Sequence, residues 1–171
     1  MVEPQAACVE SLKHAYEDKG NVELHAVAVG YKLGQTYLYV PEYDEENPDA
    51  GASAYIDRDG SPHQTRTGDN VEDGHSERVE VITFDMIDDG TIDALHIDTE
   101  GHEWAVIKHM ISRPKVISIE MYGPQGYVNP HKQEIEDWLK DNQYKLHSTC
   151  QVEYPEKGIW IDTDVIYTKE S

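Results

Sequence analysis

The run HIDTEGHE, residues 96–103, gathers more groups capable of chemistry than any other stretch of the sequence. In extended backbone, His96, Asp98, Glu100 and His102 would fall on one face, because side chains alternate with a period of two. Two imidazoles and two carboxylates together could act as a general base toward a hydroxyl, or could ligate a divalent cation. Gly101 signals a turn that would take His102 out of register. His96 lies in an apolar run, where a histidine can equally be a hydrogen-bonded core residue. Metal-assisted hydrolysis at these four positions therefore rests on composition alone, and no metal is expected, since geometry decides ligation more than composition does. Glu3, Asp98 and Glu120 share a further property: each stands at the predicted carboxyl end of a strand, where open α/β sheets bind ligands. Acids also occupy such turns simply as caps, and each residue taken alone fits either role.

Positioning these acids needs alternating strands and helices, and the sequence carries that pattern. Val9, Leu12 and Tyr16 recur at helical spacing, with Pro4 suited to the first helical position and Gly20 to a C-cap. Residues 22–30 alternate and are rich in valine, which predicts a strand, and QTYLYV at 35–40 predicts its antiparallel neighbour. From 41 to 76 the period disappears, predicting a long acidic loop of the kind that recognises substrates. Strands are predicted over 79–84 and 92–98, followed by a helix with Trp104, Ile107 and Ile111 on one face. KVISIEMY, 115–122, predicts a strand, and 123–126 a glycine-containing loop. Asn129 and Pro130 read as the N-cap and first-turn residues of a helix carrying Ile135, Trp138 and Leu139. Residues 145–150 and 164–169 close as strands. The alternation from Ile92 onward predicts a single α/β domain over 1–171, its sheet mostly parallel with an antiparallel C-terminal strand.

Composition excludes several partners. The 171 residues include 14 basic and 34 acidic side chains, a formal net charge of −20. Such a chain is a poor partner for nucleic acid or an anionic membrane surface. No apolar run approaches the roughly 20 residues of a spanning helix, and no signal peptide is expected. Cys8 and Cys150 lie far apart without metal-binding spacing, so a reducing cytoplasm is the expected location. The acids are spread along the chain, the pattern of a solvated surface adapted to high salt rather than of a focused cation site.

Read in order, VEPQ (2–5), NVELHAVAVG (21–30), GAS (51–53), VEVITFD (79–85), IDALHIDTEGHEWAVIK (92–108) and RPKVISIE (113–120) resemble the FkbM-type methyltransferases. The family signature KID-x-EG-x-E-x-x-V-[LI] is matched at Ile97, Asp98, Glu100, Gly101 and Glu103. His96 stands where the family usually has lysine, so a titratable ring replaces a fixed cation. The resemblance implies a Rossmann-like fold that uses S-adenosylmethionine to methylate a hydroxyl, often of a sugar or natural product. It implies that Glu3, followed by Pro4, accepts hydrogen bonds from the cofactor ribose. It implies also that Asp98 lies near cofactor and reacting hydroxyl as acceptor or general base, with Glu100 and His102 beside it and Glu120 on the substrate side. Methyl transfer depends chiefly on aligning nucleophile and sulfonium, so positioning should matter most.

One departure is larger. Family members carry, ahead of the Glu-Pro, a first strand and a glycine-rich D-x-G-[AG]-x-x-G turn, where the missing Cβ lets backbone approach the cofactor. The sequence has no such motif; GYKLG and GPQG are its only close glycine pairs, and neither links a strand to a helix. In the family order the first strand is central, so the expectation is an N-terminally truncated fold with unpaired strand edges. A longer parent protein, a completing chain, a homo-oligomer or a rearranged sheet would each satisfy those edges, and the first is favoured here. The alternative function is a non-catalytic fold remnant acting as a binding or assembly module. A small-molecule or glycan substrate is expected only on the first reading.

Overall fold

A computed structural model of the chain describes residues 1–40, 54–56, 75–123, 127–154 and 159–169. These fall into two compact units, one built from the described residues up to Thr83 and one from Phe84 onward.

In the first unit, Val2 forms a parallel bridge with His25, closed by the Glu3 N–H donating to the His25 carbonyl at 3.0 Å. Helix α1 runs Ala6–Tyr16 and buries Val9. Its N-cap is Gln5, so Pro4 precedes the helix instead of opening it, and the C-cap is Glu17, which leaves Gly20 beyond the end. Strands β1 (Ala28–Val29), β2 (Gly34–Val40), β3 (Tyr55–Ile56) and β4 (His75–Ile82) form a sheet in the order β1-β4-β2-β3. The strand expected over 22–30 is thus reduced to the bridge at His25 and the two residues of β1. Alternation marks residues able to pair, but a partner must also lie alongside. The pairing expected between β1 and β2 is also corrected: β4 lies between them, parallel to β1 and antiparallel to β2. Much of the loop expected over 41–76 lies outside the described residues, but β3 and the start of β4 fall within it and are strand. Ala28, Leu38, Val40, Ile56 and Val79 make the core here. Gly30 is buried where a Cβ would lie 2.6 Å from Cγ1 of Val81, so the close approach of β1 and β4 requires glycine.

The second unit opens with a short 3-10 turn, Phe84–Met86, where the sequence predicts the end of a strand. Strands β5 (Ala94–Ile97), β6 (Val116–Glu120), β9 (Tyr144–Tyr154) and β10 (Ile159–Lys169) follow the order β5-β6-β10-β9. Only β5 and β6 are parallel; β10 is antiparallel to both β6 and β9. The mostly parallel sheet expected is therefore a mixed one among the described residues, because β9 and β10 form a long hairpin and hairpins are antiparallel by construction. A small pair, β7 (Tyr122–Gly123) and β8 (Tyr127–Val128), follows β6. Ile117 and Ile119 on β6 are buried, as is Ile97 on β5. Helix α2 (Glu103–Lys108) buries Ala105, Val106 and Ile107. Ile111, expected on that helix face, lies beyond its end and is 55% exposed. Helix α3 (Lys132–Asp141) buries Ile135 and Leu139, and its N-cap is His131 rather than Asn129. No helix among the described residues is long and apolar enough to cross a membrane.

Candidate functional site

The second unit brings three acids together. β5 ends at Ile97, which pairs with Ile119 of β6 in parallel register, so Asp98 follows on beside Glu120. The chain then turns through two left-handed residues, Glu100 (φ 52°) and Gly101 (φ 101°). Glycine adopts this conformation freely, whereas glutamate does so at a cost. The turn swings Glu100 back, so that Asp98, Glu100 and Glu120 each offer an oxygen within 4.8 Å of the others. Asp98 is exposed, Glu100 half-buried and Glu120 only 7% exposed. Two unit charges about 4 Å apart repel by about 1 kcal/mol in water and by more where water is excluded. The cluster must therefore be held by its surroundings.

Glu103 supplies much of that hold. It is completely buried at the start of α2. Its Oε1 accepts from the Thr99 N–H at 3.0 Å, the Thr99 hydroxyl at 3.1 Å and the Gly101 N–H at 2.9 Å. Its Oε2 accepts from the side-chain amide of Asn129 at 2.5 Å. That amide also reaches the Glu120 carbonyl at 3.4 Å, while the Asn129 backbone N–H donates to the Met121 carbonyl at 2.9 Å. The Asn129 side-chain oxygen accepts the His131 N–H at 2.9 Å. Asn129 thus forms a turn ahead of α3, the work expected of a cap but displaced by two residues, and its other end serves β6.

A further acid borders the cluster. Asp164 on β10 pairs directly with Glu120 in the antiparallel register. Direct partners of this kind project to the same side of a sheet. Burial pushes the Asp164 carboxyl above its ordinary value; the Asp98 charge pushes the same way and His96 opposes both. The sequence predicts a strand starting at Asp164, but β10 starts at Ile159, so Asp164 lies within the strand. The antiparallel return of β10 along β6 is what brings it opposite Glu120.

The residues singled out by sequence thus divide. Asp98, Glu100 and Glu120 come together. His102 does not join them: it is the N-cap of α2 and 4% exposed, because the turn at Glu100 and Gly101 breaks the alternation that would have aligned it. His96 is exposed and also lies outside the cluster, so the four-residue set of His96, Asp98, Glu100 and His102 is not assembled as a ligand group. Three carboxylate oxygens are chemically suited to a hard cation such as magnesium or calcium, yet acids alone do not define a metal site. In the first unit, Glu3 and Pro4 are half-buried, and Oε1 of Glu3 accepts the Gln5 N–H at 2.8 Å. This folds the carboxylate over the turn into α1. Nearby, burial and the charges of Glu3 and Glu77 push the Cys8 thiol up, leaving it a poor nucleophile.

Asp98 and Glu120 thus stand at the carboxyl ends of two adjacent parallel strands, the place where open α/β sheets bind ligands. The chain belongs to the FkbM methyltransferase family: the family described as methyltransferase FkbM domain matches residues 1–146. No curated protein and no solved structure matches the chain.

Proposed function

We propose that the chain serves S-adenosylmethionine-dependent O-methylation of a hydroxyl on a small molecule or glycan. The observation that carries this reading is the cluster of Asp98, Glu100 and Glu120 at the ends of β5 and β6, in a chain of the FkbM methyltransferase family. The chemistry of the side chains supports this reading in each unit taken by itself. Glu3 spends one oxygen on the Gln5 N–H and retains acceptor capacity for a ribose diol, since a carboxylate offers about four lone-pair sites. The second unit supplies negative charge, which complements a sulfonium cation.

When bound, the cofactor supplies an electrophilic methyl group. Asp98, the exposed member of the cluster, accepts the proton of the substrate hydroxyl or orients it by hydrogen bonding. Glu120 is buried and strand-borne, and it fixes the substrate side of the cluster. Glu100 lies between solvent and the cluster on a constrained turn, where it orients polar groups of the ligand. His102, by contrast, supports α2 and has no part in this scheme.

Calorimetry with S-adenosylmethionine is the direct test. The expected result is saturable binding with Kd on the order of 1 mM, about −4 kcal/mol. It should weaken further in Glu3→Gln, while Asp98→Asn retains binding and loses methyl transfer by about a hundredfold. Binding absent at millimolar cofactor would favour the second reading, a non-catalytic binding or assembly module.

A further inference from the structure

We propose that Glu103 and Asn129 are a positioning pair whose hydrogen bond sets the spacing of the Asp98, Glu100 and Glu120 carboxylates. The catalytic consequence rests on the methyltransferase reading above; the structural part rests on the hydrogen bonds alone.

Each half of the site is attached to one oxygen of the same buried carboxylate. Oε1 of Glu103 holds the turn that carries Asp98 and Glu100, through Thr99 and Gly101. Oε2 holds Asn129, which is fastened to the end of β6 at the Glu120 and Met121 carbonyls. The Glu103–Asn129 contact is therefore a direct link between the turn and the strand end bearing Glu120. Like charges within 4.8 Å push these two pieces apart, and the link opposes that push. The polarity of the link is also fixed. The Asn129 oxygen is committed to the His131 N–H, so its NH2 group must face Glu103. Glu103 in turn must present acceptors on both sides, to N–H and O–H donors from the turn and to the amide. A carboxylate buried to this degree is costly unless its donors are all in place.

This predicts a polarity swap. Glu103→Gln can keep its oxygen toward Thr99 and Gly101, but it then sets an NH2 group against the NH2 of Asn129. Asn129→Asp instead sets two carboxylates face to face. In the double variant Glu103→Gln/Asn129→Asp, the glutamine amide donates to one oxygen of the introduced aspartate while its other oxygen still accepts the His131 N–H. The long 3.4 Å bond to the Glu120 carbonyl is lost, and the backbone N–H of residue 129 keeps the attachment to β6 at the Met121 carbonyl. Crystal structures and methyl-transfer kinetics of the full chain test the swap. In each single variant the three carboxylates should spread beyond 4.8 Å. Turnover should fall by about tenfold to a hundredfold, with KM for the hydroxyl substrate changed little. The double variant should return the carboxylates to their original spacing and recover at least half of the lost turnover. Unchanged spacing in both single variants, or a double variant no closer to wild-type spacing than the worse single one, overturns the proposal. If Glu103→Gln does not fold, Asn129→Ala gives the same reading, since it removes the link without opposing donors. A wild-type chain that transfers no methyl group would sink the functional reading, yet the spacing measurements would still decide the role of the pair.

Discussion

At the scale of single residues, Asp164 shows how place on a sheet alters a side chain. Burial raises its pKa and the Asp98 charge adds to the rise, with His96 opposing. An acid whose folded pKa exceeds the unfolded value of 3.8 holds its proton more tightly when folded. Its ionised form therefore costs stability above the folded pKa, and the cost vanishes as pH falls below the unfolded value. Asp164→Asn should accordingly raise Tm at pH 7 and match wild type near pH 3. The gain is expected to be below about 1 kcal/mol, since the group is partly solvated. Thermal melts at the two pH values check this, and a variant less stable at pH 7 than at pH 3 relative to wild type would contradict it.

At the scale of elements, Asp88 ties the turn after the 3-10 segment to the stretch between α2 and β6. It is 2% exposed and accepts the Gly90 N–H at 3.0 Å and the Ile111 and Ser112 N–H groups at 2.7 Å each. The Ser112 hydroxyl donates to it as well and accepts in turn from the Ile92 N–H. Burial alone would raise the Asp88 pKa, but the bonds from Ser112, Gly90 and Ile111 outweigh it and hold the carboxyl below its usual range. Its stabilising contribution is thus complete above pH 3.8 and is lost as pH falls through the lower folded value. Asp88→Ala strands several buried donors and should cost about 3 kcal/mol. Chemical denaturation at pH 7 checks the magnitude, and the difference from wild type should shrink in strong acid.

How far the elements were legible follows from what each depended on. Strand β6 was readable because Val116, Ile117 and Ile119 are closely spaced β-branched apolar residues between Pro114 and a glycine-containing stretch. Helix α3 was readable from Ile135, Trp138 and Leu139, although its start moved by two residues because Asn129 bonds His131 from outside the helix. Asp98, Glu100 and Glu120 were found because strand ends and a dense motif are local features. Asp164 and the Glu103–Asn129 bond were not assigned roles, since both arise from contacts between segments far apart in sequence. The alternation through residues 22–30 misled for a related reason: a period of two describes one strand's faces and not its neighbours.

At the scale of the whole molecule, a net charge of −20 makes self-repulsion a standing cost of compactness. We expect this surface to be suited to high salt. Raising KCl from about 0.01 M to 1 M shortens the Debye length from about 30 Å to 3 Å and should raise Tm by several degrees. Melts across that series, with sucrose as a control for generic exclusion effects, check it; a flat or falling Tm would remove the expectation.

The left-handed backbone at Glu100 has one more consequence. Glycine or asparagine would occupy that corner with less conformational penalty, so a library of variants filtered only for staying folded should drift toward them. A population kept under demand for activity should instead hold on to the acid. The gap between those two outcomes would measure how much foldedness is conceded for the sake of one carboxylate.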